Sequence, residues 1–218
     1  SSITEQALSQ IESNYPDTKS TVLFNPDWHK GVIGIVASRC IETYYRPTVI
    51  LTESNGKATG SVRSVKGFDV YQAIEKCSDL LEQFGGHAYA AGLTMDMGNI
   101  ELFREKFESV INDTITQKEL EPTILIDSEV EIAQVTTKFN NILKQMEPFG
   151  PLNMSPVFVS RNVRADNLRL LKDVHLKFKV TQDDDYFIDA IGFNMGEFYD
   201  SINANQKFDI CYSIEENT

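Results

Sequence analysis

The chain has 218 residues, of which 41% are hydrophobic and 24% are charged, a composition typical of globular domains. Its length fits one large domain or two small ones, and no apolar run approaches the roughly 18 residues that a membrane span needs. The net charge of −12 argues against indiscriminate binding to nucleic acid.

The first part of the chain has the strand–helix–strand order of an α/β fold. Apolar spacing gives its helices broad buried faces, and its strands are short and apolar, as in a sheet flanked by helices. Ligands of such folds collect at strand ends and helix N-termini, where His29 falls. The predicted elements are helix 1–15, strand 21–24, helix 32–45 and strand 48–52.

A phosphate-binding set of residues follows the next turn signal, Asn55-Gly56. Arg63 offers a planar fork of donors, and Ser61 and Ser64 add hydroxyl groups, which together suit a phosphate. The alternative is an exposed arginine on an edge strand. Asp69 then caps a predicted helix that runs through Leu81.

Residues 84–92, FGGHAYAAG, are the most unusual stretch of the sequence. Such small residues leave little volume to bury, and the paired glycines Gly85 and Gly86 allow close approach of a ligand to the backbone. We predict a flexible turn that presents His87 at the start of a strand over residues 90–95. The alternative is a glycine-rich turn with a surface histidine.

The second part of the chain predicts a small barrel. The first part ends with a helix that begins after Asn99, and the polar segment 115–122 marks a domain boundary. Short strands then recur at tight spacing around one helix, a pattern that favours an oligonucleotide-binding (OB) fold. The elements are strand 123–127, helix 135–146 and strands 157–163, 168–171, 175–181, 187–193 and 208–214, with Asp183, Asp184 and Asp185 at a hairpin tip rather than in a metal site.

Charge is unevenly distributed in this second part. Residues 157–180 carry a net charge of +4, whereas residues 181–218 carry −8. A basic band beside an acidic tail can hold a polyanion on one face, although it is also compatible with the solvated face of alternating strands. The basic residues of the band are Arg161, Arg164, Arg169, Lys172, Lys177 and Lys179, and His175 lies among them.

The three cysteines are too far apart for a motif. Cys40 and Cys77 fall in helical patterns and are predicted to be buried thiols in a reducing cytoplasm. The sequence has no CxxC and no histidine pair at ligand spacing, so we expect no metal to bind this chain.

Four blocks in this order resemble the RecJ family of the DHH phosphoesterase superfamily, which are 5′→3′ exonucleases specific for single-stranded DNA. The blocks are WHKGVIGIVASR (28–39), GSVRS (60–64), FGGHAYAAGL (84–93) and MEPFGPLN (146–153). The family usually reads GPGNPEP after PFG, and this chain departs from that pattern at Leu152 and Met154. The resemblance covers nearly the whole chain.

The resemblance implies a C-terminal part of such an enzyme. Residues 1–18 would end a connecting helix, 19–116 would form a DHH-associated α/β domain with a mixed sheet, and 117–218 an OB-like β-barrel domain. The family's DHH triplet, which helps to bind two manganese or magnesium ions, does not occur here. The metals would therefore belong to a separate catalytic half, and we expect this chain alone to be inactive.

The resemblance also implies roles for the residues singled out above. Arg63 and His87 would act at the reacting phosphate, supported by Ser61, Ser64, Gly85 and Gly86, with His29 and Trp28 as weaker contacts. The basic band and His175 would guide single-stranded DNA. The resemblance further implies a role in DNA repair and recombination. The expected partners are single-stranded DNA, a single-strand-binding protein and a helicase, and no association with a membrane is expected.

Two other functions remain open from the sequence. One is a module that only binds single-stranded nucleic acid or a protein partner. The other is an enzyme for short oligoribonucleotides or cyclic dinucleotides, which uses a similar GGH domain. The predicted barrel argues against the second, because a short substrate has little use for an extended binding track.

Overall fold

The computed structural model describes residues 2–150, 152–203 and 206–216. The chain forms two compact units, Ser1–Thr123 and Ile124–Thr218. The predicted domain division lies at residues 116–117, whereas the 3-10 helix Gln117–Leu120 is part of the first unit. Among the described residues, no helix is both long and apolar enough to cross a lipid bilayer.

The first unit is a five-stranded mixed sheet with helices, as predicted. The strands lie in the order β1-β2-β3-β5-β4; β1 and β2 are parallel and the other neighbours are antiparallel. The elements are α1 (Ile3–Asn14), β1 (Thr21–Phe24), α2 (Ile33–Thr43), β2 (Thr48–Ser54), β3 (Lys57–Arg63), α3 (Val70–Glu75), β4 (Gln83–His87), β5 (Ala90–Met95) and α4 (Ile100–Thr114).

The sheet has a core on each side, but the two cores differ in extent. Leu23 of β1 and Ile50 of β2 pack against α1 and α2 on one side, together with Trp28. The other side continues across the sheet to β3 and β5, where it packs on α3 and α4. Since strand residues alternate between faces, β3 and β5 are buried on one face and partly exposed on the other, where the first turn of α2 lies beside Ser61 and Arg63.

Two local predictions in this unit were wrong. The helix after Asp69 ends at Glu75 and is followed by the 3-10 helix Ser78–Leu80, so it does not reach Leu81 as one α-helix. The glycine-rich stretch is not a turn throughout. Residues 84–87 belong to the edge strand β4, whose pairing with β5 supplies the order that Gly85 and Gly86 do not favour, and only Ala88 and Tyr89 form a turn before β5.

The second unit is a half-barrel sheet with the OB-like arrangement that was predicted. Its strands lie in the order β10-β7-β8-β9, and β6 pairs with β7. Leu176, Phe178 and Val180 of β8 point into its core. The elements are β6 (Ser128–Glu129), α5 (Thr137–Lys144), β7 (Phe158–Leu171), β8 (His175–Thr181), β9 (Ile188–Gly192), α6 (Tyr199–Asn203) and β10 (Phe208–Tyr212).

Three differences from prediction concern this second unit. Residues 123–127 do not form a strand, and Ile124, Leu125 and Ile126 are exposed. The predicted strands 157–163 and 168–171 are a single strand, β7, with a register irregularity between Asp166 and Arg169. The short helix α6 was not predicted at all.

The predicted hairpin tip and buried thiols are confirmed. At the tip, Asp183 accepts hydrogen bonds from the backbone N–H groups of Asp185 and Tyr186. Burial raises the pKa of both Cys40 and Cys77 to about 11, whereas Cys211 is exposed.

A buried arginine connects the end of α1 to the sheet. Arg46 is 6% exposed and donates to the carbonyl oxygens of Tyr15 and Thr18 and to the hydroxyl of Thr21. Without this guanidinium, these acceptors would be left inside the protein without their donor. Such a loss is costly because buried polar groups must be hydrogen-bonded.

We therefore expect Arg46→Ala to lower the free energy of unfolding of the first unit by about 3 kcal/mol. Trp28, the only tryptophan of the chain, is 3% exposed in this unit, so its fluorescence in a urea titration reports on this unit. Arg39→Ala is the matched control, because Arg39 is exposed and, in the described parts of the chain, pairs with the equally exposed Glu42. Equal losses for the two variants would contradict the role given to Arg46.

Candidate functional site

The partly exposed face of β3, β5 and β4 brings Arg63, Ser61 and His87 of the predicted phosphate-binding residues together. Arg63 lies opposite Ala90, and Ala90 lies opposite His87. One step along, Ser61 lies opposite Gly92, which lies opposite Gly85. Residues directly opposite one another in antiparallel strands share a face. We call these six residues the open face.

The open face has a cationic side and a bare centre. Because β5 lies between β3 and β4, the Cα atoms of Arg63 and His87 are roughly 10 Å apart, which is two strand spacings of about 4.8 Å each. Between the outer strands stand only Ala90 and Gly92, and Gly85 adds no side chain. A ligand can therefore reach the backbone of the sheet here.

Arg63 is held along its own strand. Its Nη1 donates to Ser61 Oγ at 3.0 Å and to the Val62 carbonyl oxygen at 2.8 Å. Within the described parts of the chain, no carboxylate forms an ion pair with Arg63, so its charge is not neutralised. Ser61 Oγ accepts the guanidinium hydrogen, which leaves its own hydroxyl hydrogen for a ligand.

His87 is an exposed donor at the end of β4. Its Nδ1 accepts a hydrogen bond from the backbone N–H of Tyr89 at 3.3 Å. In the neutral ring the proton then lies on Nε2, the nitrogen that does not accept the hydrogen bond from Tyr89. The imidazole can thus donate one hydrogen bond to an anion on the open face.

The two glycines before His87 have different roles. A methyl group on Gly86, whose φ is +151°, would lie 2.3 Å from the carbonyl oxygen of Ala90 and 2.5 Å from Ala91 Cα. A methyl group on Gly85 would meet nothing within 4 Å. Gly86 is therefore required by the close approach of β4 to β5, whereas Gly85 keeps the open face bare.

Two predicted contacts in this unit are corrected by the structure. Trp28 lies in the core and donates from Nε1 to Gln6 at 2.9 Å, so its ring offers no face for a base. Ser64 donates its hydroxyl hydrogen to the Phe68 carbonyl oxygen at 2.8 Å, so that hydrogen is committed to the turn after β3.

His29 lies in the turn that precedes α2 rather than on the open face. Its ring is exposed, and its Nδ1 accepts from the backbone N–H of Gly31 at 3.1 Å. The histidine thus orders its own turn. The predicted contact between His29 and a substrate stays a prediction.

The basic band of the second unit is less basic than its sequence suggests. Arg161 pairs with both Glu129 and Asp209, and Arg164 pairs with Asp184. Hydrogen bonds from the Asn162 backbone and from Arg161 lower the pKa of Asp209, which keeps that carboxylate charged. Arg161 and Arg164 therefore contribute little net charge to the surface.

The remaining cations lie on the outer side of β7 and β8. Arg169 lies opposite Lys177, and both are accessible to solvent. Lys177 and Lys179 share this face, as predicted, but Lys179 lies opposite Asp166 on one side and Asp189 on the other. Lys172 lies farther off, in the turn between β7 and β8, with φ of 52°.

An aromatic surface continues this row. Phe193, which follows β9, is 69% exposed, and the ring of His175 meets it edge-on at 5.6 Å between centroids. The backbone N–H of Asn194 donates to His175 Nδ1 at 2.9 Å and fixes that ring. Ile191 lies opposite Lys177 and is 49% exposed. We call Arg169, His175, Lys177, Ile191 and Phe193 the outer strand surface.

Gly92 and Phe193 were not among the predicted site residues, although both had a signal in the sequence. In residues 90–95 the small residues Ala90, Gly92 and Thr94 alternate with larger buried ones, which is the pattern of a strand with one bare face. Phe193 ends a predicted strand among apolar residues, and only its exposure and its edge-on contact with His175 show that it points outward.

The described residues offer no metal site. No group of three or more histidine, cysteine, aspartate or glutamate side chains lies close enough together to hold an ion in these parts of the chain. The histidines that are present use Nδ1 for backbone hydrogen bonds. The described residues therefore do not fit a pair of manganese or magnesium ions, which the resemblance assigns to a separate catalytic half.

Two domain families match the chain. Residues 17–113 match the DHHA1 domain, and residues 126–218 match the RecJ OB domain. The single-stranded-DNA-specific exonuclease RecJ of Bacillus subtilis is 29% identical over 221 residues, which cover 100% of this chain and 28% of that protein. RecJ of Thermus thermophilus is 31% identical over 168 residues, or 76% of this chain and 24% of that protein.

The fold also agrees with a solved structure. The crystal structure of Thermus thermophilus RecJ in complex with Mn²⁺ superposes with a TM-score of 0.81 at 25% identity, covering 99% of this chain and 31% of the other. A second crystal structure of that protein, in complex with Mg²⁺, superposes with a TM-score of 0.79. The chain thus spans about a third or less of the length of these relatives.

We expect Gly86→Ala to destabilise the first unit by about 2 to 3 kcal/mol, because the methyl group meets backbone atoms that cannot move independently. Gly85→Ala is the matched control, since its methyl group enters open space, and it should change stability by less than about 0.5 kcal/mol. Urea unfolding followed through Trp28 measures both. A Gly85 variant as unstable as the Gly86 variant would refute this assignment.

Proposed function

Because the chain belongs to the RecJ family, we propose that it is the C-terminal, substrate-binding part of a 5′→3′ exonuclease specific for single-stranded DNA. In this proposal the chain binds phosphates and guides the strand, and a separate DHH half holds the metal ions. The observation that carries the proposal is the open face, on which Arg63, Ser61 and His87 surround a bare strip of backbone.

The open face supplies donors for a phosphodiester. Arg63 brings a full positive charge, Ser61 a hydroxyl hydrogen and His87 an Nε2–H donor. Hydrolysis of a phosphodiester spreads negative charge over the phosphoryl oxygens, and fixed donors stabilise that charge without reorganising. These side chains bind and orient the substrate; activation of the attacking water lies outside this chain in our proposal.

The outer strand surface is proposed to hold the strand away from the reaction. Arg169 and Lys177 are like charges directly opposite each other, an arrangement that is unfavourable in the free protein and is relieved by a bound phosphate. Phe193 offers an exposed ring on which a base can stack, as OB-fold proteins commonly use aromatic side chains. Single-stranded DNA fits both features.

Several finer parts of the proposal depend on the family resemblance alone. They are the polarity of cleavage, the roles in DNA repair and recombination, the cytoplasmic location, and the single-strand-binding protein and helicase as partners. The second candidate function is a pure binding module. The outer strand surface favours this second candidate, because its aromatic and cationic side chains are explained by binding alone.

The first test separates catalysis from binding in the longer exonuclease. We expect Arg63→Ala and His87→Ala each to lower kcat by about 100-fold, the effect of losing one donor to the transition state. The pair Lys177→Ala/Lys179→Ala should mainly raise KM. Steady-state kinetics on a long single strand measures each effect, and Arg39→Ala is the control for removing an exposed arginine. Normal turnover by the Arg63 and His87 variants would favour the binding module.

The second test uses salt to examine the outer strand surface. We expect the 218-residue chain to bind single strands weakly, and Lys177→Ala to reduce the slope of log K against log salt by about 0.7, the value for one phosphate contact. Arg161→Ala should leave the slope unchanged, because two carboxylates already neutralise Arg161. Fluorescence anisotropy at several salt concentrations gives the slopes.

Phe193→Ala distinguishes stacking from charge in the same assay. It should weaken binding by about 1 to 3 kcal/mol without changing the salt slope, because a stacked base releases no counterion. If Lys177→Ala and Arg161→Ala change the slope equally, the strand does not follow the outer strand surface.

A further inference from the structure

Gly34 occupies a position where the local structure does not call for glycine. It is the second residue of α2, and its φ is not in the left-handed region. Glycine in a helix is less favourable than alanine, because it loses more backbone entropy on folding. A reason for glycine at this position must therefore come from outside the helix.

The space beside Gly34 is filled by the open face. A methyl group on Gly34 would lie 2.8 Å from Nη2 of Arg63 and 3.0 Å from Oγ of Ser61. The first distance is shorter than carbon–nitrogen contacts allow, and the second is tight. The guanidinium of Arg63 thus lies directly against the backbone of the first turn of α2.

The same guanidinium is fixed from the opposite direction. Its Nη1 donates to Ser61 Oγ and to the Val62 carbonyl oxygen, both on β3. Arg63 is therefore confined between β3 below and the bare backbone at Gly34. An added methyl group would displace Nη2 and weaken the contact with Ser61, although the backbone could stay in place.

We propose that Gly34 is a positioning residue, which sets the orientation of the Arg63 guanidinium by having no side chain. The effect of Gly34 on substrate depends on the proposed function, since it acts through Arg63. Its effect on Arg63 itself does not. The atom that must move is the end of a flexible side chain, so Gly34→Ala should fold normally and alter the site selectively.

The test is a double-mutant cycle of Gly34→Ala and Arg63→Ala on the 218-residue chain, with thermal unfolding as the first measurement. With Arg63 removed, Ser61 Oγ loses its guanidinium donor and can rotate away from the added methyl group. Gly34→Ala should then raise Tm by about 2 to 4 °C, as expected for alanine replacing glycine in a helix. With Arg63 present, the displacement of the guanidinium should cancel that gain. Equal shifts in the two backgrounds would overturn the proposal.

Binding of a 5′-phosphorylated oligo(dT) is the second measurement. Gly34→Ala should weaken binding by about 10-fold when Arg63 is present, a loss of one charge-assisted contact, and should have no effect in the Arg63→Ala background. Gly98→Ala is the control, because its methyl group would meet nothing within 4 Å.

The two measurements separate the possible failures. If Arg63→Ala binds as well as the unaltered chain, the proposed function fails, and the thermal cycle alone decides whether Gly34 positions Arg63. If Arg63→Ala weakens binding but Gly34→Ala does not, Gly34 has no positioning role.

Discussion

A one-residue slip between β3 and β5 would turn Ser61 and Arg63 into the core and bring Val62 to the surface, because strand side chains alternate between faces. The site therefore depends on the register of these strands. Interlocking shapes hold that register: a methyl group on Gly60 would lie only 2.5 Å from Leu51 Cδ2 and 3.2 Å from Leu93 Cδ1. Leucines from the neighbouring strands fill the space above this glycine, so the core of the unit fixes the alignment of its surface.

The three histidines of the chain share one arrangement. His29, His87 and His175 each accept a backbone N–H at Nδ1, from Gly31, Tyr89 and Asn194. A ring fixed in this way is oriented by the main chain and keeps Nε2 as its donor in the neutral form. The sequence contains no hint of this common feature, since the third donor is 19 residues away from its histidine.

The sequence predicts well where a local pattern and a tertiary contact agree. The bounds of β1 and β8 were predicted to the residue, and the structure places Arg63, Ser61 and His87, which were predicted to act on a phosphate, on one face. The strand β4 was missed because Gly85 and Gly86 have no preference for strand conformation. They form a strand only because they pair with β5. Counting charges along residues 157–180 overstated the basic band, because the carboxylates that neutralise Arg161 lie 32 and 48 residues away.

The bare centre of the open face has a consequence for selectivity. Ala90, Gly92 and Gly85 present no side chain that could reach the edge of a base. The side chains around them, Arg63, Ser61 and His87, are hydrogen-bond donors suited to phosphate. Discrimination among nucleotides requires contacts with base edges or with a deformable duplex, whereas phosphate and sugar are the same at every position. Under the proposed function, such a surface would accept all four nucleotides alike, so indifference to sequence would be built into the main chain rather than gained by relaxing a specific pocket.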